Sequence, residues 1–188
     1  MASIYDIPAY NSSKSDYVKN DIVKGASGVA NTTAGKFYYN LGNGNTKAPE
    51  EAGGEAYWGG IITTKNSTHS TASECTNCPH FFWRPAYNMS ATHAPRTKSI
   101  KFGDGYERRF KDGINNNLLS LSLNFEGRDL MEAKAILHFL ESRQGTESFF
   151  FRPPSPYDAL RKFVCQEFNS SIAFKNNINV SATFRQTP

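Results

Sequence analysis

The stretch Leu119-Ser120-Leu121-Ser122-Leu123-Asn124-Phe125 alternates apolar and polar side chains without a break, the period-two pattern of a strand with one buried face. Asn177-Ile178-Asn179-Val180-Ser181-Ala182-Thr183-Phe184 repeats it near the end of the chain. Between the two, the spacing predicts a helix over residues 130–143. Leu130, Ala133, Ile136, Leu137 and Leu140 recur at i, i+3 and i+4 and define a face that packs on a sheet. Asp129 stands at the N-cap position, with Glu132 three places on as the partner of a capping box. Arg143 and Gly145 supply a stop. One helix laid on mostly antiparallel strands is a mostly β, α+β arrangement, a β-barrel or sandwich with a flanking helix.

Working outward, three regions follow. Residues 1–64 alternate short aromatic or β-branched pieces with Gly and Asn turns, and read as a small β-rich accessory module. Asp21–Lys24, Lys36–Tyr39 and Ala56–Trp58 are its strands. Residues 65–80 show no periodicity and read as a linker or extended loop, and residues 81–188 form the principal domain. The 188-residue chain is 13% aromatic and 20% charged, so it can bury a core and is not compositionally disordered. A net charge of +4 without long Lys/Arg blocks argues against a specific nucleic-acid groove, Arg108, Arg109 and Lys111 being the one local cluster. No apolar run reaches membrane-spanning length, and Met1–Asp6 lacks the features of a secretory signal. The Asn-x-Ser/Thr triplets at Asn11, Asn31, Asn66, Asn88, Asn169 and Asn179 are read as composition, not glycan sites.

Two further segments stand out. In Phe102-Gly103-Asp104-Gly105-Tyr106-Glu107-Arg108-Arg109 the glycines permit a tight turn that sets Tyr106 and Arg108 in defined positions. The segment has neither the Lys of a phosphate loop nor the repeated acids of a calcium loop. In Phe149-Phe150-Phe151-Arg152-Pro153-Pro154 three consecutive aromatic rings cannot all face one core from a regular strand. They are either a hydrophobic strand inside the domain or a strand with a ring buried between subunits.

Together with Phe81-Phe82-Trp83-Arg84-Pro85, Asp112-Gly113-Ile114-Asn115 and Phe139-Leu140-Glu141-Ser142-Arg143, in this order, these pieces resemble the phage minor tail protein family typified by the tail protein M of lambda. The resemblance runs from about Phe81 to the C-terminus. It implies a β-barrel related to tail-tube and distal-tail domains, made in the bacterial host cytoplasm and carried in the virion tail. It implies a closed, sixfold ring of copies joining the tail tube protein to the hub, tip or baseplate proteins. In such a ring Phe149, Phe150, Phe151, Tyr106 and Arg108 are the candidate interface residues. No catalysis or cofactor is implied, and no Gly-x-Ser-x-Gly elbow or His-Glu-x-x-His pair is present.

The first region loosely resembles small chitin-binding-type modules, which stack sugars on exposed rings. On that alternative Trp58 and Tyr38 bind a carbohydrate or receptor, and otherwise Trp58 is a core aromatic. Cys75-Thr76-Asn77-Cys78 has the spacing of half a metal site. Zinc or an iron–sulfur centre there would draw further ligands from His80, His69, His93 or Cys165, and the competing reading is plain thiols or a local disulfide.

Overall fold

The computed structural model describes residues 7–62 and 78–188. The strands are β1 (Ile22–Lys24), β2 (Phe37–Asn40), β3 (Trp58–Ile62), β4 (Cys78–Phe81), β5 (Ser90–His93), β6 (Thr97–Lys101), β7 (Glu107–Lys111) and β8 (Leu119–Arg128). Helix α1 (Leu130–Ser142) follows, then β9 (Phe149–Phe151), β10 (Arg161–Phe174) and β11 (Asn177–Gln186). The protein is thus mostly β with one helix, as the periodicities require. Nine strands form one sheet in the order β1-β2-β3-β4-β9-β10-β11-β8-β5, and β6 and β7 pair only with each other. Neighbours in the large sheet run antiparallel except β4 and β9, which are parallel.

The expected barrel does not close. The sheet ends at β1 and β5, and the outer side of β1 is already occupied. Lys24 accepts from the Tyr10 N–H and donates its own N–H to the Pro8 carbonyl, both at 2.9 Å. A strand edge whose backbone groups are satisfied in this way is not available for closure. Residues 78–80, read from the sequence as the end of a linker, lie in β4, which joins β3 on one side to β9 on the other.

The alternation in β8 and β11 is a packing pattern. Leu121 lies opposite Phe184, Leu123 opposite Ala182 and Phe125 opposite Val180, and all six are buried. Helix α1 covers this face. Asp129 caps it by accepting from the Met131 N–H at 3.2 Å, whereas Glu132 is engaged by Arg128 Nη1 at 3.0 Å. Beyond Arg143, Gln144 and Gly145 both have positive φ and end the helix. The buried arc of α1 differs from the expected one. Ala133, Ala135, Ile136, His138, Phe139 and Leu140 are interior, while Leu130 is exposed and Leu137 only partly covered. The arc is rotated towards His138 because β2 packs there, with Phe37 edge-on to the imidazole at 4.5 Å.

At the centre of the core lies Phe81. Its ring is 5.0–5.9 Å from those of Trp83, Phe125, Phe139, Phe149, Phe151 and Phe184, mostly in the edge-to-face geometry that aromatic quadrupoles favour. A second, smaller core gathers Tyr10, Tyr17, Val23, Tyr38 and Trp58. Strand β2 serves both: Tyr38 turns into the small core and its neighbour Tyr39 into the large one. At the seam, a Cβ on Gly59 would collide with the Phe82 ring.

Phe81→Ala is expected to cost about 3–5 kcal/mol, read as a lowered urea midpoint with an unchanged slope. Gly59→Ala is expected to destabilise as well, because β3 must move away from the Phe82 ring; thermal unfolding of the two variants beside the wild type checks both.

Candidate functional site

No cleft with convergent catalytic groups stands out among the described residues; the most distinctive chemistry is on the outside. The β6–β7 hairpin is exposed along both strands. Five ladder pairs hold it, from Thr97–Lys111 to Lys101–Glu107. The turn is closed by Phe102 N–H to the Tyr106 carbonyl at 2.8 Å and by Gly105 N–H to the Phe102 carbonyl at 3.1 Å. Gly105 has φ +79°, a left-handed conformation that favours glycine. Ile100, Phe102, Tyr106, Phe110 and Ile114 are exposed here, Tyr106 by 64% and Ile114 completely. The rings are ordered by local contacts: Phe102 lies 5.7 Å from Tyr106, and the Arg108 guanidinium sits 4.9 Å from the Phe110 centroid. A two-stranded ribbon is marginal by itself in water, and apolar groups of this number on a projection mark a contact surface.

A second surface lies at the β10–β11 turn. β10 pairs with β9 only over Arg161–Phe163 but continues to Phe174 along β11. From Val164 onward, the side of β10 that β9 occupies earlier has no strand partner among the described residues. Residues 169–174 are exposed, and Ile172 and Phe174 present apolar side chains there.

The other expected site residues are interior. Phe149, Phe150 and Phe151 are all buried. Phe149 and Phe151 enter the large core, while Phe150 points to the opposite side of the sheet, where the Lys162 ammonium lies 5.8 Å from its ring. None of the three offers a free surface in the isolated chain. Trp58 is 1% exposed and donates from Nε1 to the Lys47 carbonyl at 2.7 Å. Tyr38 is equally interior, its hydroxyl donating to Glu50 Oε1 at 2.8 Å, and burial pushes its pKa up to about 12. Neither ring has an open face on which to stack a sugar. Tyr106 and Arg108, by contrast, stand in the open on the hairpin.

Cys75 and His69 lie outside the described residues, and Cys78 starts β4. No group of three or more His, Cys, Asp or Glu is placed to hold a metal among the described residues. Burial raises the Cys165 thiol to about 11, and its side chain is packed in the large core. His93 faces Tyr157 at 3.4 Å on the far edge strand.

An exposed hairpin, a long open strand edge and an enclosed aromatic core define a β-rich domain with its distinctive groups on the outside. The chain belongs to the phage minor tail protein family, whose profile matches residues 79–187, and it is therefore a structural protein of the virion tail. It is 31% identical to the tail tip protein M of Escherichia phage lambda over 107 residues, 56% of this chain and 94% of the relative. Against the tail tip protein M of Escherichia phage N15 the identity is 33% over 108 residues, 56% of this chain and 92% of that one. A solved structure described as the tail of an empty GTA particle with C6 symmetry aligns with a TM-score of 0.40 and 11% identity, over 56% of this chain and 79% of that one, a likeness too loose to bear on assembly.

The match begins within β4, so the preceding strands lie outside the matched region and meet it along a seam. His138 of α1 sits on it, 1% exposed, with Nδ1 3.1 Å from the Tyr39 hydroxyl of β2. Burial first, then the nearby Lys134 and Arg143 charges, lower its pKa from 6.5 to about 4. Burial and Arg152 do the same to His80 in β4. Both residues are neutral in the folded state at pH values where the unfolded chain binds protons. Stability is therefore expected to fall as pH drops from about 6.5 towards 4 and to show no further loss from these groups below that. His138→Gln is expected to flatten the decline without removing it, since His80 remains; urea midpoints at pH 7, 5.5 and 4 measure this.

Proposed function

We propose that this chain is a ring-forming subunit of the distal tail or tail tip, joining the tail tube to the hub or host-recognition apparatus, with no enzymatic role. The observation that carries the reading is the placement of the family motif. Phe102–Arg109 builds the tip of a projecting hairpin whose side chains contact one another but enter no core, and are exposed to neighbours. The β10–β11 turn with its open edge, a surface separate from the hairpin, suits a heterologous contact, in which one copy's surface meets a different surface on the next and the set closes by rotation. The open backbone of β10 is a template for strand addition. The work is geometric: repeated contacts set a diameter and present a fixed face to the rings on either side. The accessory strands at the N-terminal end thicken each subunit without altering the family domain's exposed motif.

The native mass of purified protein across a concentration series, with electron microscopy of the same sample, tests this. A closed oligomer, or a monomer that enters rings when supplied with tails lacking it, is the expected outcome. A chain that never enters tails would end the proposal. Ile172→Asp combined with Phe174→Asp is expected to reduce incorporation at least about tenfold while leaving the thermal midpoint within a few degrees, because both side chains are exposed.

A further inference from the structure

The net charge of +4 is not spread evenly. Residues 96–112 carry six Lys or Arg (Arg96, Lys98, Lys101, Arg108, Arg109, Lys111) against Asp104, Glu107 and Asp112, a balance of +3. Residues 1–95 hold seven of each sign and residues 113–188 eight basic against seven acidic, balances of 0 and +1. Three quarters of the excess charge therefore sits on the β6–β7 hairpin and its immediate flanks, together with five of the twelve exposed large hydrophobic residues among those described.

Part of the hairpin charge is neutralised internally. Lys98 pairs with Asp112 at 3.1 Å and Arg109 with Glu107 at 3.2 Å. Both pairs involve well-exposed cations and are worth little by themselves. Among the described residues no such pair engages Lys101 or Arg108. They lie at the tip end of the hairpin beside Phe102, Tyr106 and Phe110.

We propose that the hairpin tip docks onto an acidic, apolar-bearing surface of a different tail protein, not onto another copy of this chain. The inference rests on the reading of the chain as an assembling tail subunit and divides its surfaces by chemistry. A second copy of this chain is a poor electrostatic match, since outside the hairpin its sequence is close to balanced in charge and several of the described acids are already paired with bases. Glu50, Glu51, Glu132 and Glu147 each have a Lys or Arg within 4 Å. The β10–β11 turn, by contrast, is polar and apolar with little charge and suits contact between copies. A protein partner is favoured over nucleic acid because Ile100 and Ile114 add aliphatic surface with no base-stacking face and Asp104 and Glu107 stand among the cations. Interfaces of this kind are steered by complementary potential and anchored by a few buried aromatic or Arg side chains.

The test is site-specific photocrosslinking in complete tails. Tyr106 is replaced by a benzophenone amino acid in the full-length chain, tails are purified and irradiated, and the crosslinked peptide is identified by mass spectrometry. The expected product joins Tyr106 to a segment of another tail protein with an excess of Asp and Glu. Its yield should fall about tenfold or more in a Lys101→Glu, Arg108→Glu variant of unchanged thermal midpoint. A crosslink to a second copy of this chain, a nuclease-sensitive crosslink to DNA, no crosslink, or an undiminished yield in the charge-reversed variant would overturn the inference while leaving tail incorporation intact. Absence of the chain from tails would overturn both readings.

Discussion

The large core of this molecule is arranged around the ring of Phe81. Six aromatic rings within 6 Å come from β4's own continuation, from β8, α1, β9 and β11, so a single side chain is touched by every layer of the family domain. Close-packed interiors tolerate little change in volume, and a core made of rigid rings tolerates less than one made of Leu or Met, which can adjust. The strand order follows from that demand. β9 is only three residues long, yet it holds a central place because Phe149 and Phe151 complete the cage while its backbone bridges β4 to β10.

The second organising fact is the pair Tyr38 and Tyr39. Adjacent residues of a strand point to opposite faces, and here each face has its own core. Tyr39 reaches Trp83 at 5.2 Å and Phe139 at 5.7 Å, deep in the family domain, while Tyr38 closes the small N-terminal cluster. The first strands are thus edge additions to the large sheet and also one wall of the helix's pocket. The accessory region and the family domain share hydrogen bonds, a ring cluster and the buried His138–Tyr39 contact.

What could be read from the sequence was whatever had one buried face. β8, β11 and α1 announced themselves because burial imposes a period on residue type. β6 and β7 were not legible as strands: with both faces exposed, no alternation is required of Thr97–Lys101 or Glu107–Lys111, and only the Gly103-Asp104-Gly105 turn betrayed them. The run of three Phe residues pointed to an interface because one ring had to leave the main core. Phe150 did leave it, yet it is buried on the other face of the sheet within the same chain. The helix face was misplaced by part of a turn because the strand that covers His138 lies almost a hundred residues earlier in sequence, a distance no local pattern reports. Tyr106 and Arg108 were placed by the Gly103-Asp104-Gly105 turn and given an interface role by the family resemblance, and the exposed Ile172 and Phe174 of the β10–β11 turn carried no signal that set them apart from ordinary strand residues.

The shared strand β2 makes the two regions inseparable in packing terms. The relatives in lambda and N15 are matched over almost their whole length by little more than half of this chain. Yet trimming this protein back to that size would remove Tyr39 from the large core, uncover His138 and Trp83, and leave β4 with an unpaired edge. A separable module could be cut away at its connecting segment, but a region that lends a tyrosine to its neighbour's core is part of that neighbour's stability.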